Sequence, residues 1–223
     1  MTQSAALIAL AEKRAARGGN AYACMPGMSF APGTGVPVLE VVGQGHPARA
    51  SLECFIAACF LRSYGALISH FADTLLGLRG ADGEWLAALG YSSPTCRGTF
   101  IEQYLDVPLE RAVAETLGER VERASVAEVG NMAATSHGMG RLLIALATRH
   151  LHDAGFEFVV FTATRALSNS FARLGLRPFL VAPADPARLL DGDENWGSYY
   201  HHNPVVMAGR IANGLPKMDE EAA

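Results

Sequence analysis

The stretch Glu128-Val-Gly-Asn-Met-Ala-Ala-Thr-Ser-His-Gly-Met-Gly-Arg141 decides how this chain is read. Its first residues belong to Val126-Ala-Glu-Val-Gly130, a short, apolar, β-branched run that reads as a central strand. A small-residue loop follows, and Gly138 and Gly140 then introduce a long helix. Met139, Leu142, Leu143, Leu146, Ala147 and His150 recur at i, i+3, i+4, i+7, i+8 and i+11, and Gly155 ends the run. Free amide hydrogens at the start of such a helix, with its dipole, favour phosphate oxygens. Glycines there let a ligand approach the backbone closely. An ordinary tight loop leading into a packed helix is the other reading of the same residues.

Working outward, Val38–Val42 reads as a strand, and Leu52, Phe55, Ile56, Cys59, Phe60 and Tyr64 mark an amphipathic helix over 50–64. Thr74–Leu78 and Glu84–Tyr91 flank Arg79-Gly-Ala-Asp-Gly83, a hairpin signal. Thr99–Tyr104 is expected as a short strand, before a helix that starts at Pro108 and runs to Leu117. Beyond the long helix come a buried strand at Phe156–Phe161, a helix over 165–174 and a last strand at Leu176–Val181. Strands and helices alternate with a hairpin between them, which is a mixed α/β pattern. The division expected is an N-terminal helix with a Gly/Pro-rich linker over 1–37, a folded domain over 38–215 and a loose acidic tail over 216–223.

The chain has 223 residues, enough for one domain with a proper core. A net charge of −4 provides no broad basic footprint, which argues against nucleic acid as a partner. No apolar run approaches the ~18 residues a membrane-spanning helix needs. The charges near the N-terminus follow the apolar run there instead of preceding it, so it does not read as a secretory signal. The four cysteines show no metal-type spacing and read as free thiols, and the expected location is the cytoplasm. No metal site is expected.

Two carboxylates stand out as candidate bases: Glu128 on the central strand and Glu102 on a neighbouring segment. A paired or edge residue is the alternative for each, since an unpartnered buried carboxylate is costly. Asn131 could orient a substrate or cap the loop. His70 could line an acceptor pocket or sit at the surface. Thr162, Thr164 and Arg165 follow a strand at its C-terminal end, where ligands gather in open α/β sheets. Arg165 could clamp an anion or close a helix-start ion pair. Gln103 is a further candidate substrate contact. Trp196, Tyr199 and Tyr200 form an aromatic group that could wall a binding site or staple a loop.

Gly138-x-Gly140, with Phe171-x-Arg173-Leu-Gly175-Leu downstream, resembles the acyl-CoA motifs of the GNAT-type N-acetyltransferases. Thr135 stands where that motif carries Gln or Arg, and Phe171 stands where it often carries the tyrosine that protonates the departing thiolate. A wider resemblance covers residues 38–215. Phe100-Ile-Glu-Gln-Tyr-Leu-Asp106, Glu128-Val-Gly-Asn131, Phe161-Thr-Ala-Thr-Arg165, Arg173-Leu-Gly-Leu176 and Trp196-Gly-Ser-Tyr-Tyr200 are similar to segments of the thermostable hemolysin family. That family is similar to acetyltransferases and more distantly to acyl-homoserine lactone synthases. The resemblance implies a mixed, mostly antiparallel sheet flanked by helices, the GNAT-like acyltransferase fold. It implies acyl transfer from acyl-CoA or an acyl carrier protein to a small-molecule amine, with the thioester as co-substrate and no tightly bound cofactor. Val129, Gly130, His137, Gly138, Met139, Gly140 and Arg141 would then hold the phosphopantetheine arm and its phosphates, with Arg165 and Asn169 beside them. The family name also suggests a membrane-active cytolysin, and Phe171 and Thr135 leave open a thioester-binding module without catalysis.

Overall fold

The computed structural model describes residues 36–95, 98–190 and 195–215. The N-terminal helix and most of the linker expected over 1–37, and the tail over 216–223, lie outside them. Strand β1 is Val38–Val42, and helix α1 (Arg49–Tyr64) ends at Gly65, which takes the left-handed conformation. The hairpin forms as β2 (Thr74–Arg79) and β3 (Trp85–Ser92), with its turn closed at Gly83, φ +84°. Next come α2 (Leu109–Leu117), β4 (Val126–Ala134), α3 (His137–Asp153), β5 (Phe158–Ala163) and α4 (Arg165–Arg173). Strands β6 (Phe179–Pro183) and β7 (Val205–Arg210) complete the set.

Among the described residues the strands form one sheet in the order β1-β2-β3-β4-β5-β7-β6. Every neighbouring pair is antiparallel except β4 and β5, which run parallel. Strand residues alternate between two cores. Leu75, Ala88 and Ala133 pack on Leu52, Ile56 and Phe60 of α1. Val126, Phe158 and Val160 pack on Leu109 and Val113 of α2, on the same face. Leu76, Leu78 and Leu89 meet Leu142, Leu143 and Leu146 of α3 on the other face, where Phe161 also packs on Phe171 of α4. Each of these Val, Leu, Ile and Phe side chains removed from water contributes about 1.5–3 kcal/mol, and each alanine methyl less.

Three expectations need correction. Thr99–Tyr104 is not a strand: Ile101–Tyr104 is a 3-10 turn. Carboxylates take the amides a ladder would use, because Glu128 binds the N–H groups of Phe100 and Ile101, and Glu102 binds that of Thr99. The strand expected at 176–181 starts later, since Gly175 and Leu176 close α4 through bonds to Ala172 and Phe171. Nor is it the last strand of the chain, because β7 follows it in sequence and inserts between it and β5 in the sheet. Strand β4 also continues through the residues expected to be loop.

The segment after Asn195 is clamped to the end of α1. Leu67 N–H donates to the Asn195 carbonyl at 2.7 Å, and Ser198 N–H to the Tyr64 carbonyl at 2.8 Å. Gly197 lies between them at φ +52°, and a Cβ there would fall 2.1 Å from the Tyr64 oxygen. Gly197→Ala is therefore expected to destabilise the fold by roughly 2 kcal/mol or more. Gly45→Ala, where a Cβ meets nothing within 4 Å, should change little. Urea unfolding of both variants checks this, and equal midpoints would refute the clamp.

Candidate active site

The pairing of β4 and β5 stops early. It runs from Val126↔Phe158 to Val129↔Phe161, whereas β4 and β3 stay paired to Ala134. Against β3, β4 carries one extra residue: Gly90 and Ala88 bracket a single residue, but their partners Gly130 and Ala133 bracket two. Such a bulge bends its strand. Asn131 sits there at φ +52°, a conformation that asparagine tolerates better than most residues. Its Oδ1 accepts from Ala72 N–H at 2.9 Å and its Nδ2 donates to the His70 carbonyl at 3.1 Å. Gly90 makes room, because a Cβ there would lie 2.9 Å from Asn131 Oδ1. The bulge and its tether turn β4 away from β5, and among the described residues its edge from Gly130 onward has no partner strand on that side.

The gap opens into a cavity of about 880 Å³. On the α3–α4 side it is lined by Ile144, Ala147, Leu151, Leu167 and Phe171. On the other side its walls are aromatic, from Phe60, Tyr64, Phe71, Phe100, Tyr104 and the Trp196–Tyr199 segment. Lining from both faces means that the cavity crosses the sheet between β4 and β5. Thr135, Ser136, His137 and Gly140 bring the start of α3 to its wall. Ser136 caps that helix, its Oγ accepting from Met139 N–H at 3.3 Å, and no acidic residue lies in the first turn. A Cβ on Gly130 would meet nothing within 4 Å, and one on Gly138 only Ser136 Oγ at 3.8 Å. The space beside both is therefore open, at a helix end competent for anions.

The two candidate bases part company. Glu128 lines the cavity with its orientation fixed, its oxygens accepting from Phe100 N–H at 3.1 Å and Ile101 N–H at 2.8 Å. Glu102 is not on the cavity wall. Arg123 donates to it at 2.6 and 3.0 Å, and the amides of Leu109 and Thr99 add to that grip. The Arg123 bond outweighs the opposing cost of burial and, with the amides, holds the Glu102 carboxyl down at about 2. A carboxylate held so firmly as an anion is a structural ion pair and not a proton acceptor near neutrality, which corrects the expectation for Glu102.

His70, Gln103, Thr162 and Thr164 also reach the cavity wall, as do Val129 and Asn131. Gln103 Oε1 accepts from Leu190 N–H at 2.9 Å. Tyr199 donates to Thr162 at 3.2 Å, and burial first of all pushes its phenol up to about 12. Tyr200 stands behind the wall, its hydroxyl 2.5 Å from that of Tyr104, whose phenol burial and this bond raise far above its ordinary range. Gly138, Met139, Arg141, Arg165 and Asn169 lie off the wall, with Arg165 and Asn169 exposed. Phe171 is buried with its ring 4.8 Å from that of Phe161. Phe60 and Tyr64, read from periodicity only as a core-facing helix stripe, and Phe71, Phe100 and Tyr104 complete the site.

A family profile described as thermostable hemolysin matches residues 42–215. The chain belongs to the thermostable hemolysin family. No curated protein shows a significant match to it. Among solved structures, it is similar to FeeM, an N-acyl amino acid synthase from uncultured soil microbes, at 13% identity and a TM-score of 0.54, covering 80% of this chain and 94% of that one. TofI in an apo form gives 19% and 0.53, covering 78% and 90%. The AHL synthase LasI gives 11% and 0.52, also covering 78% and 90%. At such identities these likenesses establish the fold alone: the mixed, mostly antiparallel sheet flanked by helices is shared with FeeM, TofI and LasI. Among the described residues no helix is long and apolar enough to cross a membrane.

In this family member the Glu102–Arg123 pair, which also takes in Glu110 at 2.6 Å, ties the 3-10 turn to α2. Glu102 falls from an ordinary 4.5 to about 2 on folding. Its contribution is therefore complete above pH ~4.5 and is lost as pH falls towards ~2. Glu102→Gln should cost about 1–3 kcal/mol at pH 7 and flatten the acid side of the stability profile across that window. Denaturant unfolding at several pH values measures both effects, and an unchanged profile would show that the pair does not stabilise the fold.

Proposed function

We propose that this protein transfers an acyl group from an acyl thioester, borne by coenzyme A or by a carrier protein's phosphopantetheine arm, to a small-molecule amine. The observation that carries the reading is the parting of β4 from β5 beyond Val129 and Phe161. It leaves an unpaired strand edge inside a cavity that runs from the start of α3 to a fixed carboxylate. Strand-edge amides near Gly130 can pair with the pantetheine arm and stabilise the oxyanion formed on attack. Glu128 takes the proton from the amine, directly or through one water. The carbon–nitrogen bond forms, the carbon–sulfur bond breaks, and the thiolate takes a proton from water, directly or relayed through the Ser170 hydroxyl on the wall. Phe171 cannot supply it, and this observation favours a second reading, a thioester-binding protein without turnover.

A thiol-release assay over acyl thioesters and amines tests the proposal. Turnover is expected, with kcat reduced by about 10²-fold in Glu128→Gln and donor affinity unchanged. Donor binding without turnover for any amine would favour the second reading, and no donor binding at all would reject both.

The choice of donor is supported by charge. Arg49, Arg79, Arg111, Arg120, Arg123, Arg188 and Arg210 each hold a carboxylate. Arg141, Arg149, Arg165, Arg173 and Arg177, on α3, on α4 and just beyond it, have no such partner among the described residues. Residues 129–152 and 158–184 contain no Asp or Glu. This face of an acidic chain thus keeps positive charge unneutralised beside the cavity, which suits an acidic carrier protein. Arg165→Glu with Arg173→Glu is expected to lower kcat/KM by tenfold or more (~1.4 kcal/mol) for a carrier-borne donor, and to affect acyl-CoA far less. An equal effect on both donors, or none on either, would remove the carrier from the proposal.

A further inference from the structure

We infer that the acceptor is a primary arylalkylamine without a carboxylate, bound as its ammonium ion between the aromatic wall and Glu128. This rests on the acyltransferase reading above and names the substrate class of its second half.

The compartment on the α1–α2 face of β4 is walled by rings that brace one another. Trp196 lies 5.4 Å from Tyr199 and 5.8 Å from Phe100, and Tyr199 meets Tyr64 edge-on at 5.2 Å. Two of its tyrosine hydroxyls are already engaged, Tyr104 with Tyr200 and Tyr199 with Thr162. The wall therefore offers mainly flat apolar faces, with the hydroxyls of Tyr64 and Thr99 beside them. Such a surface takes an aromatic body by stacking and edge contacts.

The charge is equally one-sided. Among the described residues lining the cavity, Glu128 is the single Asp, Glu, Lys or Arg side chain. Its orientation is set by two amides, and aromatic rings face the same space. A carboxylate with ring faces favours an ammonium group. An α-amino acid would bring its own carboxylate against Glu128 with no Lys or Arg among the described lining residues to receive it, which is costly away from bulk water. Two described arginines of the nearest segments are committed elsewhere. Arg123 holds Glu102, Glu110 and the Pro94 carbonyl. Arg188 holds Asp106 and the carbonyls of Gln103 and Leu105. This separates the present cavity from one suited to an N-acyl amino acid product.

The steps balance. The bound ammonium gives one proton to Glu128, and the neutral amine attacks the thioester carbonyl. As the carbon–sulfur bond breaks, its electron pair leaves on sulfur. The nitrogen's second proton ends on the thiolate through water, giving amide and thiol, and Glu128 returns its proton to solvent.

The test pairs acceptors that differ by one carboxylate: phenethylamine against phenylalanine, tyramine against tyrosine and tryptamine against tryptophan. Thiol release is followed in each case. The amines are expected to exceed their amino acids by about 100-fold in kcat/KM. An unreactive pair is measured by calorimetry in parallel. Phenethyltrimethylammonium should bind, and bind about tenfold more weakly to Glu128→Gln, while 3-phenylpropionate should not bind. Amino acids accepted as well as the amines, preference for purely aliphatic amines, or tighter binding of phenylpropionate than of the quaternary ammonium would each overturn the inference. Failure of every thioester to bind or turn over would instead sink the acyltransferase reading, and the calorimetric pair would still decide the charge preference of the compartment.

Discussion

A strand edge inside a protein must find partners for its N–H and C=O groups, and β4 is built so that part of it does not. The parallel ladder with β5 is in register for four residue pairs and then ends. What ends it is local. An extra residue bends β4, and the Asn131 side chain fastens that bend to the backbone at 70–72. Gly90 supplies the room, and without these contacts β4 could continue along β5 and satisfy its own edge. The cost of leaving backbone groups unpaired is of the order of a hydrogen bond each, and it is offset by the tether and by the two cores that clamp β4 at either end. A ligand with an extended amide-bearing arm recovers that cost on binding.

The remaining features follow from where the gap lies. Helix α3 starts where β4 ends, so its first turn and the open space at Gly138 lie at the same end of the cavity. Helix α4 starts where β5 ends, and its first residue is Arg165. On the opposite face the gap meets Glu128 and the aromatic wall. Arginines without a carboxylate partner among the described residues therefore lie on the α3–α4 side of the sheet and the Glu128 carboxylate on the other. The proposed anionic donor and cationic acceptor would be sorted by this gradient before any specific contact is made.

Much of this was legible in the sequence because local physics fixes it. The hairpin declares itself through its turn with Gly83, α1 through its periodicity, and α3 through periodicity and Gly155. The strand–loop–helix reading of 128–141 picked out a stretch that borders the cavity but missed the bulge, since nothing local distinguishes Asn131 in a bent strand from Asn131 in a loop. Thr99–Tyr104 has strand composition, and only long-range bonds from Glu128 turn it into a 3-10 turn. Val205–Arg210 is apolar and bounded by Pro204, yet it went unread because its pairing with β5 is distant in sequence. Glu102 and Glu128 look alike in one dimension. The partner that separates them, Arg123, lies 21 residues from one of them.

Glu128 joins structure to chemistry in a way that bears on the proposed cycle. As an anion it holds two amides of the segment that carries Phe100 and Tyr104, which are both walls of the acceptor compartment. Taking a proton from the amine removes the charge that strengthens those bonds. The wall is thus held most firmly while the site awaits an ammonium ion and is loosened once the amide has formed. A base anchored by solvent alone would have no such link. In the proposed cycle, acceptor capture and proton transfer draw on one carboxylate, which also holds a wall of the compartment.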